Sequence, residues 1–304
     1  MTARPRRPTL ARGATLGVAA LSSRPDLDRL QRGMQALEGL GYRVRRAANL
    51  EAASDNFAGD DDTRLAAFHE LATDDEVDAV FFARGGHGVL RLLERIDWPT
   101  IAAHPKPYVG YSDLTPLLLQ LLQRCDMVSF HGPFVAGEIG DGLTPTERDS
   151  LFGALENRGE ARLPCSFPEA ARERGAVEGR LVGGCLSLLV SLLGTPYFPD
   201  LAGSILFLED VNEPYHRIDR MLTHLRLSGR LTGVKGMILG HLEAVDGAAR
   251  GRRSSPQAFA EELEVIAPVA WGLAVGHARP NLTLPVGGMA RLDPERSELV
   301  LLTG

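Results

Sequence analysis

Short continuous runs of apolar residues alternate with amphipathic stretches along the first half of the chain. Residues 15–21, 77–83 and 127–130 are apolar runs of strand length, whereas residues 27–37 carry apolar side chains at helical spacing. Continuous apolar runs are typical of strands that are buried on both faces of a parallel sheet. The alternation of such strands with helices therefore predicts a parallel sheet with helices on both faces.

The character of the chain changes after residue 157. Residues 158–175 are rich in charge, proline and glycine and show little periodicity, which predicts a linker between domains. A length of 304 residues is long for one core and typical of two domains. We therefore expect an α/β protein with a three-layer parallel-sheet domain over residues 1–157 and a smaller C-terminal α/β domain over residues 176–304.

A corner between a predicted strand and a predicted helix lies at residues 108–122. The apolar strand ends at Gly110, and Pro116 suits the first turn of the following helix, where a missing N–H costs nothing. Ser112 thus lies beside the backbone donors of a helix N-terminus, where an activated serine is often placed. The alternative is a serine that only caps the helix, since this stretch matches half of the Gly-x-Ser-x-Gly pattern.

A pair of glycines follows the neighbouring apolar strand. Gly85 and Gly86 lie at the carboxyl end of residues 77–83, and open α/β sheets bind their ligands at that end. A backbone without side chains can approach a reacting carbonyl closely. The N–H of Gly86 is therefore a candidate oxyanion donor, with the N–H of Asp113 as the second. A plain tight turn at the glycine pair is the alternative.

A serine nucleophile also needs a base and an acid that orients the base. His277 follows an apolar run in a loop bounded by glycine and proline, which favours it as the base. His131 ends a predicted strand and could line the same cleft. The acid candidates are Glu209 and Asp210, at the end of the apolar strand 205–208. Spacing leaves both open, and a solvated strand end is the alternative for either.

Composition narrows the classes of function. A net charge of -6 is too small to favour nucleic acid or an anionic membrane surface as a partner, and no apolar run reaches the roughly 18 residues of a membrane span. Three widely spaced cysteines without a CxxC pair argue against a disulfide framework or a zinc site and favour a reducing compartment. Arginines before residues 14–21 imitate a signal peptide, although that run also fits a first strand.

Several segments together resemble the LD-carboxypeptidases, the serine peptidases that trim murein tetrapeptides and include the microcin C self-immunity peptidases. The matching segments are ARGGHG at 83–88, GYSD at 110–113, HGP at 131–133, GGCLSLL at 183–189, FLEDVNEPY at 207–215, RIDRML at 217–222, GH at 276–277 and PNLTLP at 280–285. They occur in the family's order and cover nearly the whole chain, so they are specific together although each is weak alone.

The resemblance implies a triad with Ser112 as nucleophile, Glu209 as orienter and His277 as base, and it selects Glu209 over Asp210. It also implies two domains, a homodimer and an active site at the domain interface, with no metal or organic cofactor. The expected activity is release of C-terminal D-alanine from murein tetrapeptide, in the cytoplasm, during peptidoglycan recycling. The alternative is a microcin C immunity-type peptidase that cleaves peptidyl or aminoacyl nucleotide analogues.

Two positions depart from the family's usual pattern and affect the expected substrate. His87 stands where tyrosine is usual, and Cys185 stands where asparagine is usual; both could reshape the cleft. A cation should receive the substrate carboxylate, with Arg84 and Arg217 as candidates and surface ion pairing as the alternative for each. The sequence also fits a non-catalytic sugar or amino-acid receptor, since two α/β domains around a cleft suit a receptor, and a general esterase that uses the same serine.

Overall fold

The computed structural model describes residues 4–242, 245 and 255–303. Its strands and α-helices, in chain order, are β1 (Thr15–Ala19), α1 (Leu27–Gly39), β2 (Arg43–Arg46), α2 (Asp61–Thr73), β3 (Ala79–Phe82), α3 (Trp98–Ala103), β4 (Tyr108–Gly110), α4 (Thr115–Cys125), β5 (Ser129–His131), α5 (Pro145–Leu155), β6 (Ala161–Pro164), α6 (Glu169–Glu173), β7 (Val177–Cys185), α7 (Leu186–Ser191), β8 (Ser204–Glu209), α8 (Tyr215–Leu227), β9 (Gly236–Leu239), α9 (Pro256–Leu263), β10 (Val269–Trp271), β11 (Leu284–Val286), β12 (Met289–Asp293) and β13 (Glu298–Leu301). These elements form two compact units. The first unit holds the residues up to Arg158 together with Leu282–Val286, and the second unit holds the rest.

The first unit is built on a six-stranded sheet in the order β11-β5-β4-β3-β1-β2. Strands β1 to β5 are parallel, and β11 pairs antiparallel with β5. Leu16 and Val18 of β1 pack in one cluster with Leu30 of α1, whereas Gly17 between them faces Leu71 of α2. Because successive strand residues point to opposite faces, helices cover both faces of this sheet, as the apolar runs predicted.

The second unit is built on a seven-stranded mixed sheet in the order β10-β9-β8-β7-β12-β13-β6. Strands β7 to β10 are parallel, and the other three are added antiparallel. Every residue of β8 is buried, and the strand ends at Glu209. Position 183 in the neighbouring strand β7 requires glycine. The φ of Gly183 is 148°, and a Cβ there would overlap the carbonyl oxygen of Phe207. The register sets Cys185 opposite Glu209 at the carboxyl ends of both strands.

The segment 158–175, expected to be a linker, is part of the second unit from residue 159 onwards. It contains β6, which pairs antiparallel with β13 at the sheet edge, and the short helix α6. Its charge and proline content fit an edge strand and its loops, because edges tolerate charged residues and proline. The prediction of a linker was therefore wrong for β6, because an edge strand and a linker have similar compositions.

The C-terminal part of the chain also departs from the expected boundaries. Strand β11 lies in the first unit, where Pro285 pairs with Phe130 of β5. Proline is accepted there because β11 is an edge strand. After the glycine pair, the chain forms two short 3-10 turns over Val89–Arg91 and Leu93–Arg95.

Helix length bears on membrane insertion. The longest described helices, α1, α2 and α8, have 13 residues each, whereas a membrane-spanning helix needs about 20. Within residues 4–242 and 255–303, no helix has the length and apolarity to cross a bilayer.

Candidate active site

Ser112 occupies a strained position where β4 turns into α4. Its φ of 56° lies in the left-handed region, which costs a residue other than glycine roughly 1–2 kcal/mol. A 3-10 turn over Ser112–Leu114 joins the strand to the helix. Gly110 permits the turn, because a Cβ there would lie 3.0 Å from Cδ2 of Phe82 and 3.2 Å from Cγ of Leu114. The strand-to-helix corner thus holds its serine in the kind of strained conformation that nucleophiles adopt.

The Gly85–Gly86 pair lies beside this corner. A Cβ on Gly85 would lie 3.0 Å from Cβ of Ser112 and 3.1 Å from the ring of Phe134. Gly86 has a φ of 120°, and a Cβ there would overlap Oγ of Ser23. Glycine is needed at the first position for close approach and at the second also for its backbone conformation. The structure therefore brings the candidate oxyanion loop against the candidate nucleophile within the first unit.

The side chain of Asp113 is buried and joins two loops next to the serine. Its Oδ2 accepts hydrogen bonds from Oγ of Ser22 at 2.7 Å and from the N–H of Val89 at 3.0 Å. Burial raises the pKa of this carboxyl, and the two hydrogen bonds oppose that rise. The sequence pointed only to the backbone N–H of Asp113, because no local pattern links residue 113 to residues 22 and 89.

Tyr111 and Glu138 form a second buried contact under the corner, which no sequence pattern indicated. The hydroxyl of Tyr111 donates to Oε1 of Glu138 at 2.8 Å, and Oε2 of Glu138 accepts from the N–H of Phe134 at 3.1 Å. The rings of Tyr111 and Phe134 stack with centroids 4.5 Å apart. His131 is fully buried in β5, with its ring 5.4 Å from that of Tyr111. His131 thus belongs to the packing beneath the serine rather than to an exposed surface.

Glu209 and His277 form a buried pair in the second unit. Oε2 of Glu209 lies 2.7 Å from Nδ1 of His277. The Glu209 side chain is fully buried, and that of His277 is 16% exposed. Burial raises the pKa of Glu209, and the contact with His277 opposes that rise. A carboxylate at Nδ1 favours the tautomer whose Nε2 can accept a proton, which is the arrangement of a general base and its orienter.

Glycines make room for this pair. Gly276 precedes the histidine with a φ of 107°, and a Cβ there would overlap Oε2 of Glu209. Its N–H donates to Oδ1 of Asn281 at 2.9 Å, which fixes the loop. Gly240, at the end of β9, is also close, because a Cβ there would lie 3.5 Å from Cβ of Glu209. The loop that carries His277 is therefore fitted closely around the carboxylate.

The two acids that spacing left open have different partners. Oδ2 of Asp210 accepts from the N–H of Ser187 at 2.7 Å, at the start of α7, and Oδ1 accepts from the N–H of Val211 at 2.8 Å. Asp210 thus caps a helix, whereas Glu209 contacts His277. Glu209 is the last residue of β8 and Asp210 is the first residue beyond it, so the two side chains have different surroundings.

The candidate substrate-binding residues of the first unit are exposed near the glycine pair. Nη1 of Arg84 donates to the carbonyl of Arg24 at 3.2 Å. Nδ1 of His87 lies 3.3 Å from Oγ of Ser23, and its ring centroid lies 4.5 Å from that of Phe57. Both side chains therefore lie on the rim of the loop that carries Gly86.

The candidate substrate-binding residues of the second unit differ in exposure. Cys185 is 3% exposed, and its Sγ lies 3.3 Å from Oγ of Ser187. Burial raises the pKa of the Cys185 thiol well above its ordinary value, so the thiol stays protonated. Arg217 is largely exposed, and its Nε lies 2.8 Å from Oε2 of Glu213. The paired Arg217 fits the surface ion pairing that the sequence left open.

The candidate catalytic residues belong to different units of the chain. Ser112, Gly86 and Asp113 belong to the first unit, and Glu209 and His277 belong to the second. One set supplies a strained hydroxyl with backbone donors, and the other supplies an imidazole oriented by a carboxylate. In the part of the chain that the structure describes, no three His, Cys, Asp or Glu side chains are grouped to hold a metal ion.

Comparison with known proteins identifies related families and relatives over both units. The LD-carboxypeptidase N-terminal domain matches residues 16–132, and the LD-carboxypeptidase C-terminal domain matches residues 178–292. A probable murein peptide carboxypeptidase of Bacillus subtilis is 37% identical over 97% of this chain and 93% of its own length. The Microcin C7 self-immunity protein MccF of Escherichia coli is 27% identical over 93% of this chain and 92% of its own length.

Solved structures show the same two-domain α/β fold. The muramoyltetrapeptide carboxypeptidase of Oxalobacter formigenes is 31% identical and superposes with a TM-score of 0.85, covering 95% of this chain and 98% of that protein. MccF in complex with glutamyl sulfamoyl guanosine is 26% identical and superposes with a TM-score of 0.88, covering 99% and 98%. The predicted fold class is therefore confirmed.

Proposed function

This chain belongs to the LD-carboxypeptidase family, and from that premise we propose that it is a serine peptidase that releases the C-terminal D-alanine of murein tetrapeptide. The observation that carries the proposal is the 2.7 Å contact between Oε2 of Glu209 and Nδ1 of His277. A buried carboxylate that holds one ring nitrogen prepares the other to take a proton from a serine. The proposal requires that Ser112 and His277 meet in the active enzyme, which is what the family resemblance implies.

Acylation begins when Oγ of Ser112 attacks the carbonyl carbon of the L,D-peptide bond. Nε2 of His277 takes the hydroxyl proton, and Glu209 stabilises the imidazolium that results. The backbone N–H groups of Gly86 and Asp113 donate to the oxyanion of the tetrahedral intermediate. The intermediate collapses as the C–N bond breaks, and the imidazolium returns its proton to the leaving amine of D-alanine. The L-residue then remains attached to Ser112 as an ester.

Deacylation repeats these steps with water in place of serine. His277 takes a proton from water, the resulting hydroxide attacks the ester carbonyl, and the proton returns to Oγ of Ser112 as the C–O bond breaks. The product is a tripeptide with a new carboxylate, and the enzyme returns to its starting state. Each oxyanion donor is worth about 2.7–4 kcal/mol of transition-state stabilisation in enzymes of this kind.

A tetrapeptide digest analysed by mass spectrometry tests the proposal. The purified protein is incubated with tetrapeptides that end in L-lysyl-D-alanine or diaminopimelyl-D-alanine, and with the matching peptides that end in L-alanine. We expect release of D-alanine only, and a fall in kcat of at least about 10⁴-fold in Ser112→Ala. Ser204→Ala is the matched control, because Ser204 is buried at the far end of β8 from Glu209. Undiminished release by Ser112→Ala would exclude the serine mechanism.

The likeness to MccF favours one second candidate, a peptidase that acts on peptidyl or aminoacyl nucleotide analogues. A structure of MccF has been solved in complex with glutamyl sulfamoyl guanosine, in which a nucleoside is linked to an amino acid. The same triad would serve this reaction, and the two candidates differ in the leaving group. Assays of a murein tetrapeptide and an aminoacyl sulfamoyl nucleoside side by side, under kcat/KM conditions, separate them.

We also propose that the enzyme is a homodimer that acts in the cytoplasm, in peptidoglycan recycling. The family resemblance supports the dimer, and light scattering of the purified chain tests it. Cys125, Cys165 and Cys185 are all buried, and none of them forms a disulfide, which supports a reducing compartment. Fractionation of the source cells tests the location.

A further inference from the structure

The Asp113 carboxylate connects the two loops that carry the candidate oxyanion donors. Asp113 is 3% exposed, and its backbone N–H follows the nucleophile directly. Its Oδ2 accepts from the N–H of Val89 at 3.0 Å, and Val89 closes the Gly85–Gly88 loop. The same oxygen accepts from Oγ of Ser22 at 2.7 Å, on the loop that follows β1. One carboxylate therefore ties together the loops after β1, β3 and β4.

The glycine loop is fitted closely at its other points as well. A Cβ on Gly86 would overlap Oγ of Ser23, and one on Gly88 would lie 2.6 Å from Nη1 of Arg64. Arg64 is fully buried, and its guanidinium lies 4.6 Å from the ring centroid of Phe57. The loop thus packs closely against Ser23 and Arg64, and the hydrogen bond from the N–H of Val89 to Asp113 lies at its C-terminal end.

We propose that the carboxylate of Asp113 is a positioning residue that keeps the two oxyanion donors, its own N–H and the N–H of Gly86, at a fixed separation. This inference rests on the proposed function. The donors follow different strands, so their separation is set by contacts between loops rather than by the sheet. A displacement of about 1 Å in a catalytic group can lower the rate about 100-fold. A contact that holds both donor loops in place should therefore increase the rate.

A purely structural role of Asp113 predicts a different result. If the carboxylate only stabilised the fold, its loss would lower the fraction of competent enzyme without changing the enzyme that remains. A positioning role predicts that each competent molecule binds the transition state more weakly and binds the substrate equally well. The two roles are therefore distinguished by measurements made per labelled active site.

The test compares Asp113→Ala, Asp113→Asn, Ser22→Ala and the control Ser204→Ala, with active sites counted by fluorophosphonate labelling of Ser112. Ser204 matches Ser22 because both are buried, and each Oγ donates one hydrogen bond of 2.7 Å. The ligands are a tripeptide boronic acid with boron in place of the L-residue's carbonyl carbon, and the intact tetrapeptide. Binding of the tetrapeptide is measured in the Ser112→Ala background.

We expect Asp113→Ala to lower kcat per labelled site about 100-fold and to weaken the boronate by a similar factor, with tetrapeptide affinity changed less than about 3-fold. Asp113→Asn keeps an oxygen that can accept both hydrogen bonds, so it should retain most of the activity. Ser22→Ala removes one of the two hydrogen bonds to Asp113 and should lower kcat about 5-fold. Ser204→Ala should leave kcat unchanged.

Two results would overturn the inference: unchanged kcat per labelled site in Asp113→Ala, or equal losses of boronate and tetrapeptide affinity. If Asp113→Ala does not fold, the comparison of Ser22→Ala with Ser204→Ala provides the test. Equal kcat values per labelled site in these two variants would also overturn the inference. Failure of the proposed function has a different signature. A wild-type enzyme that labels at Ser112 and binds the boronate without cutting the tetrapeptide would refute the substrate, while the Asp113 comparison could still be measured with the boronate.

Discussion

Oε2 of Glu209 lies 2.7 Å from Nδ1 of His277, in a space that the absent side chain of Gly276 leaves open. The carboxylate is fully buried, and the imidazole is partly exposed. A charged group held without solvent must be stabilised by its partner, which here is the imidazole. The pair therefore links catalysis to stability, and both can be measured.

The activity prediction separates Glu209 from its neighbour. Glu209→Gln should lower kcat about 10³–10⁴-fold, because an amide no longer stabilises the imidazolium or fixes the tautomer. Asp210→Asn should retain activity within about 10-fold, since its amide oxygen can still accept from the N–H of Ser187 at the start of α7. Steady-state kinetics on the tetrapeptide measure both variants. Equal losses would mean that the Glu209–His277 contact is not the functional one.

The same substitution should stabilise the protein in a pH-dependent way. Burial raises the folded-state pKa of Glu209 above its unfolded value, so between the two values the folded chain binds more protons than the unfolded chain. Stability contributed by this group is therefore present at low pH and is lost as the pH rises through the folded pKa. The unfolding free energy of Glu209→Gln should therefore exceed that of the wild type near pH 8, and the difference should become smaller towards pH 5.

Urea denaturation of wild type and Glu209→Gln across this pH range measures the effect. The glutamine keeps an acceptor for His277, so the comparison removes the charge and leaves the packing. A difference in unfolding free energy that stayed constant with pH would contradict the linkage. A fall in the stability of the glutamine variant at every pH would show that the charge is stabilising instead.

The close fit around Glu209 predicts different costs for two nearby glycines. Gly276→Ala places a Cβ against Oε2 of Glu209, whereas Gly272→Ala, at a φ of 77°, meets no atom within 4 Å. Gly272→Ala should cost about 1 kcal/mol of stability through backbone strain alone and should leave kcat unchanged. Gly276→Ala should cost at least about 2 kcal/mol and lower kcat about 100-fold. Thermal unfolding and kinetics of the two variants test this, and matching losses would argue against the close fit.

The left-handed backbone conformation of Ser112 should lower the stability of the protein. Ser112→Ala and Ser112→Gly both remove the hydroxyl, but only glycine adopts a φ of 56° without strain. After the entropy cost of glycine, Ser112→Gly should be about 0.5–1 kcal/mol more stable than Ser112→Ala. Paired denaturation curves give the difference, and an alanine variant at least as stable as the glycine variant would show that the corner stores no strain.

The main candidate residues could be selected from the sequence because they follow apolar strands. Ser112, Gly86 and Glu209 each follow a continuous apolar run, and the carboxyl ends of parallel strands are where α/β proteins bind ligands. The link from Asp113 to Ser22 and Val89 could not be predicted. It joins loops after three different strands, and no spacing in the sequence encodes such a contact.

The edge strands β6 and β11 were missed for a related reason. Only Leu163 of the four residues of β6 is buried, and β11 contains a proline. Neither segment shows the continuous apolar run or the clean alternation that marks an interior strand. Partners far away in sequence, β13 for β6 and β5 for β11, make them strands.

The position of β11 has a consequence for synthesis on the ribosome. The first unit needs residues 284–286 to cover the open edge of β5, yet nearly all of the second unit is translated before them. During translation, the edge of β5 in the nascent chain is therefore unpaired, and an unpaired edge can pair with the wrong strand. The edge of β5 stays open to such pairing until residues 284–286 have been synthesised.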